Sequence, residues 1–191
     1  MRVQQYNDMA ALCVEVPRLI QQYEERDYRF LSSVNSWLLR CEACFADKQA
    51  MQASQVASLR GRLIAAGRGI FEPDFASSVN LKKSKMVDLV ALQAIQSSQD
   101  ILITSVRPLE ERLNEAELII LQLIALADQK GLVSHDLIEH ARDGATREIW
   151  HTFAQYNDLK SGLNKVLTFV SFDDALMLLE KHLRLWEPAL P

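Results

Sequence analysis

The residues best suited to chemistry lie in the last third of the chain, which holds all four histidines. Glu148-Ile149-Trp150-His151 is an E-x-x-H. On a helix, positions three apart share a face, so a carboxylate and an imidazole at this spacing reach one metal ion. Di-iron bundles use two such motifs with two further carboxylates. Here there is one, with His135, Glu139 and His140 near it. Glu148, His151 and His140 are the candidate ligands. The competing reading is a surface histidine beside a salt-bridging glutamate, and without a second motif no metal is expected. Arg147 and His151 also have the spacing of a helical nuclease pair, again with plain helix surface as the alternative.

Cys41-Glu42-Ala43-Cys44 is a C-x-x-C. Redox motifs of this form sit at a helix start beside a strand, where the dipole lowers the thiol pKa. This pair falls in mid-helix after Trp37 and Leu38, and zinc would need two more ligands. Core packing is the expected role. There is no G-x-S-x-G. The glycines of 61–69 lack a phosphate-loop lysine and a preceding strand. No catalytic residue and no cofactor are expected.

Charge gives the stronger hint. From Leu59 to Met86, six basic residues face two acidic ones, a net +4 in a chain of net −4. They are Arg60, Arg62, Arg68, Lys82, Lys83 and Lys85. Cations are favoured near a helix C-terminus, which accounts for the arginines. The lysines fall at a helix N-terminus, where cations are disfavoured, so an acidic partner, a phosphate backbone or a membrane surface is the alternative explanation. Ile70, Phe71 and Phe75 lie between the two groups. They either anchor a partner or cap the protein's own core.

The elements that must position these groups are helical. Hydrophobic residues make up 49% of 191 residues, with only 6 Gly and 5 Pro, which favours a folded helical chain. No strand is read. One seam, Val16, Ile20, Tyr23, Asp27, Phe30, Val34, Trp37, Cys41, Cys44, Lys48, Met51, alternates steps of four and three, broken only by Asp27 and Lys48. It predicts one long segment from Val16 to Ala66, with a short helix over 3–15 before a restart at Pro17. Gly67, Gly69 and Pro73 mark a connection over 67–80. A second seam, Leu92 through Ala127, predicts a helix from Leu81 or Ser84 to Gln129, kinked or broken at Pro108. Behind it come helices at about 134–142, 145–157, 158–169 and 172–186, the last capped by Ser171.

The expected fold is therefore all-α: a long antiparallel helical hairpin, coiled-coil-like, with a C-terminal cluster of shorter helices on its base. The expected division is 1–130 for the hairpin, its tip loop near 67–83, and 131–191 for a C-terminal helical subdomain. No run of apolar residues is long enough to span a membrane, and MRVQQYND lacks a signal peptide's apolar centre, so a cytoplasmic location is the default. Three cysteines do not read as a disulfide framework.

These features point to a non-enzymatic scaffold, adaptor or assembly subunit. It would bind a protein partner through the hairpin flanks and a basic tip of Arg60, Arg62, Arg68, Phe71, Phe75, Lys82, Lys83 and Lys85. Surplus seam residues also suit a homodimer. The first alternative is nucleic-acid binding through the tip. The second is an enzyme using the Glu148/His151 region. Periodicity of this kind is common to unrelated proteins and identifies no family.

Overall fold

Residues 2–46, 49–71, 82–142 and 144–186 are described by a computed structural model, without the side chains of His135, His140 and Arg142. Among them are eight helices and no strand. The helices are α1 (Arg2–Glu24), α2 (Phe30–Phe45), α3 (Ala50–Gly67), α4 (Lys83–Gln129), α5 (His135–Arg142), α6 (Thr146–Phe153), α7 (Asn157–Phe169) and α8 (Phe172–Leu185). The chain divides into two units: Gln5–Arg107, and Met1–Gln4 with Pro108–Pro191.

The segment from Val16 to Ala66 is not one helix. α1 runs unbroken through Pro17 and ends in a left-handed residue, Arg26, with φ of 56°. The Arg26 N–H bonds the Tyr23 carbonyl and the Asp27 N–H bonds that of Gln22, the paired closure that ends many helices. α2 then runs back along α1. The Trp37 indole N–H donates to the Leu12 carbonyl at 3.0 Å, and the Arg40 guanidinium grips the Glu15 carboxylate with two bonds. α3 reverses again and packs on α2, with Arg60 on Glu42 at 2.9 Å. It closes at Gly69 (φ 86°), whose N–H bonds the Ala66 carbonyl while the Ile70 N–H bonds that of Ala65.

α4 runs back beside α3, since Ser58 and Leu59 share a groove with Ser97 and Asp100. α3 and the first half of α4 are thus neighbours in the first unit. The first unit holds α1, α2, α3 and the first half of α4. The core of this unit includes Met9, Val34, Trp37, Leu38, Phe45, Ile95 and Leu102.

α4 is continuous across Pro108, and the division between units falls at that proline. Its second half belongs to the other unit, where α8 packs on α5, α6 and α7. Lys181 on α8 reaches Glu117 at 2.6 Å, Lys130 reaches Asp158 at 2.9 Å, and the Trp186 indole bonds Asp128. This covers most of the apolar end of α4: Ile119, Ile120, Leu123, Ile124 and Ala127 are buried, and only Leu118 and Gln122 of that stretch stay exposed.

α7 sits close to α4 because it carries no side chain at Gly162. A Cβ there would lie 2.6 Å from Leu123 Cδ2 and 3.2 Å from its Cγ. Alanine is the better helix former by about 1 kcal/mol, yet Gly162→Ala is expected to destabilise by about 1–3 kcal/mol through overpacking. Urea denaturation checks this. Combined with Leu123→Ala, the two costs should sum to less than their separate values; a more stable Gly162→Ala protein would mean that Leu123 yields freely.

Candidate functional site

The end of the first unit that carries the 67–83 connection is built from two places in the sequence. Lys85, Asp88 and Leu89 at the start of α4 line one groove of about 740 Å³ with Tyr23, Asp27, Tyr28 and Leu31. The α1–α2 turn therefore lies beside the basic segment. Its residues, Glu24-Glu25-Arg26-Asp27-Tyr28-Arg29, carry both signs of charge. Glu24, Glu25, Asp27 and Asp88 stand against Arg26, Arg29, Arg68, Lys82, Lys83 and Lys85, so this end is mixed rather than purely basic.

The predicted tip residues have different situations. Arg60 lies seven positions before the end of α3, in its ion pair with Glu42. Arg62 is half-buried, as is Phe71. Arg68, Lys82, Lys83 and Lys85 are exposed. The Lys83 side chain folds across Gly69: a Cβ on that glycine would lie 2.4 Å from Nζ. That places an ammonium at the C-terminus of α3, where the helix dipole favours a cation, and gives a structural reason for a lysine that is poorly placed with respect to its own helix. Phe75 lies outside the described residues.

Exposed apolar groups mark this end, Tyr28 and Ile70 above all. Tyr28 is 92% exposed and Ile70 is 65% exposed. Arg29 lies over the Tyr28 ring at 5.6 Å and pairs with Asp27 at 2.9 Å. The Arg29 fork and its backbone N–H hold the Asp27 carboxyl below its ordinary range. Tyr28 was not singled out from the sequence. Asp27, one of two polar breaks in a seam read as a single helix, is the one signal in the sequence that coincides with this turn.

Glu148 and His151 are both exposed on α6, whose Ile149, Trp150 and Phe153 face the core. The side chain of His140 lies outside the described residues. Among the described residues no group of three or more His, Cys, Asp or Glu side chains is arranged to hold a metal. Arg147 stacks on Phe172 at 5.2 Å and comes within 3.9 Å of Asp173. Cys41 is fully buried, and burial, with Cys44 beside it, pushes its thiol up to about 12. That is the opposite of an activated thiolate.

Among the described residues no helix is long and apolar enough to cross a membrane. No family model, no curated protein and no solved structure matches the chain.

Proposed function

We propose that the chain is a non-enzymatic interaction protein whose partner-binding surface is the end of the first unit, where Tyr28 and Ile70 stand among charges of both signs. The observation that carries this reading is the 92% exposure of Tyr28 on a turn fixed at both sides by helix closure and the Asp27–Arg29 pair. A rigidly presented aromatic flanked by arginine is the usual anchor of a protein interface. The acids of the α1–α2 turn weigh against a long phosphate backbone laid across the tip, because they interrupt the basic surface it would need. The α3–α4 flank adds Ile64 and Ile103, exposed at 39% and 48%. The partner this surface suits is an acidic or mixed-charge protein, or a second copy of the chain.

The test is capture from host lysate, with and without nuclease, by three forms of the protein. One is wild type. One carries Tyr28→Ser and Ile70→Ser. One carries Arg68→Glu, Lys82→Glu and Lys85→Glu. All five sites are exposed, so stability should stay within about 0.5 kcal/mol. The expected result is a specific protein captured regardless of nuclease, with at least about tenfold less on the Tyr28/Ile70 variant. Nuclease-sensitive capture lost only in the charge variant would move the function to nucleic acid. Equal capture by all three forms would remove this surface from consideration.

A further inference from the structure

We infer that the groove between α1 and α2 in the first unit binds a phosphate dianion, free or as the monoester of a small molecule. Three arginines line it, Arg18 from α1, Arg40 from α2 and Arg29 from the α2 cap position, and its volume is about 290 Å³. That is at the small end for ligand sites, which suits a single phosphoryl group with a short substituent. Three guanidiniums along one groove favour an anion there, in so far as internal carboxylates do not already neutralise them. The chain supplies part of that anion itself. Glu15 takes both Arg40 amino groups, at 2.6 and 2.5 Å, and its carboxyl is held below its ordinary range first by that bond and then by the charges of Arg40 and Arg18. Arg29 is held by Asp27. Arg18 makes no ion pair among the described residues.

The hydrogen-bonding groups fit the same ligand. Ser33 and Ser36 also line the groove. α2 has no acidic residue in its first turn, and its start is met by the Asp27 carboxylate, which accepts the Arg29 N–H. Tetrahedral phosphate is matched by guanidinium forks and hydroxyl donors together. Glu15 then acts as an internal stand-in that the ligand displaces. The Glu15 and Arg40 side chains are 35% and 53% exposed, so the exchange costs little.

A competing internal carboxylate makes a prediction that an ordinary surface ion pair does not. Removing its charge should strengthen binding. The experiment titrates the full chain at pH 7.5 with sodium phosphate against sodium chloride of equal ionic strength, by calorimetry and thermal shift. O-phosphoserine and serine form a second pair of arms. Wild type should be stabilised by phosphate over chloride, Glu15→Gln should bind about tenfold more tightly, and Arg18→Gln should lose the effect. Arg18 holds no ion pair, so this variant keeps its fold even if Arg40→Gln does not. Tighter binding of phosphoserine than of inorganic phosphate identifies an ester as the ligand; equal binding identifies free phosphate. Phosphate indistinguishable from chloride in both wild type and Glu15→Gln overturns the proposal, as does phosphate binding that survives Arg18→Gln.

Discussion

Trp37→Ala is expected to cost about 3–5 kcal/mol, the range for emptying a fully buried aromatic site. Trp37 has no exposed surface and is among the largest side chains in the core of the first unit. Its indole N–H also fixes α2 against α1 through the Leu12 carbonyl. Removing the ring leaves a cavity that close-packed neighbours fill only in part. Trp37→Phe keeps most of the apolar body and loses the donor, so it should cost about 1–2 kcal/mol. Equilibrium urea denaturation followed by circular dichroism measures both. The other tryptophans, Trp150 and Trp186, belong to the other unit, so the fluorescence of Trp37→Ala reports that unit alone. A loss below 1 kcal/mol in Trp37→Ala would contradict the seating of this side chain between α1 and α2.

The same region shows why part of the fold was hidden in the sequence. Tyr23, Asp27 and Phe30 keep heptad spacing, yet the chain reverses between Tyr23 and Phe30. Each of α1, α2 and α3 must turn an apolar stripe to one shared core, and a short turn of suitable length leaves the phase of the pattern intact. The punctuation that normally betrays a helix end was also missing. Arg26 occupies the left-handed position that glycine usually takes, at a steric cost of about 1–2 kcal/mol. Only the polar seam positions Asp27 and Lys48 gave a sign. Met51, read as a seam residue, is 67% exposed just inside α3. Pro17 misled in the other direction, because α1 simply runs through it.

Where punctuation is conventional, the elements were legible. Gly69 and Gly131 take positive φ at the ends of α3 and α4, and both close the paired bonds expected there. α5 to α8 start and end within a few residues of their predicted limits because Ser134, Gly144 and Ser171 mark them. No residue of the Leu92–Ala127 seam is exposed. The candidate site was legible only in half: the basic segment is contiguous in sequence, whereas Tyr28 reaches it through two chain reversals that periodicity could not reveal.

Asp174 makes the second large prediction, and it binds sequence-distant parts of the other unit together. Its carboxylate is fully buried. It accepts the Arg2 N–H at 2.9 Å, the Val3 N–H at 3.2 Å and the Ser171 hydroxyl at 2.6 Å, so a residue of α8 caps the first turn of α1. The Arg2 guanidinium continues the contact to the Phe169 carbonyl. Asp174→Ala leaves two half-buried amides without their acceptor and empties a buried site, and about 2–4 kcal/mol should be lost. Ser171→Ala should lose only about 1 kcal/mol, the worth of one cap. Burial alone would raise the Asp174 pKa, but the Arg2 N–H, the Ser171 hydroxyl and the Val3 N–H outweigh it and lower it. A depressed folded-state pKa stabilises the fold above the unfolded value and loses that contribution as pH falls through the folded one. The stability difference between wild type and Asp174→Asn should therefore be flat from pH 7 to pH 5 and shrink only below about pH 4, the ordinary aspartate value. A difference that shrinks already between pH 7 and pH 5 would mean that the carboxylate is not held charged by these three donors.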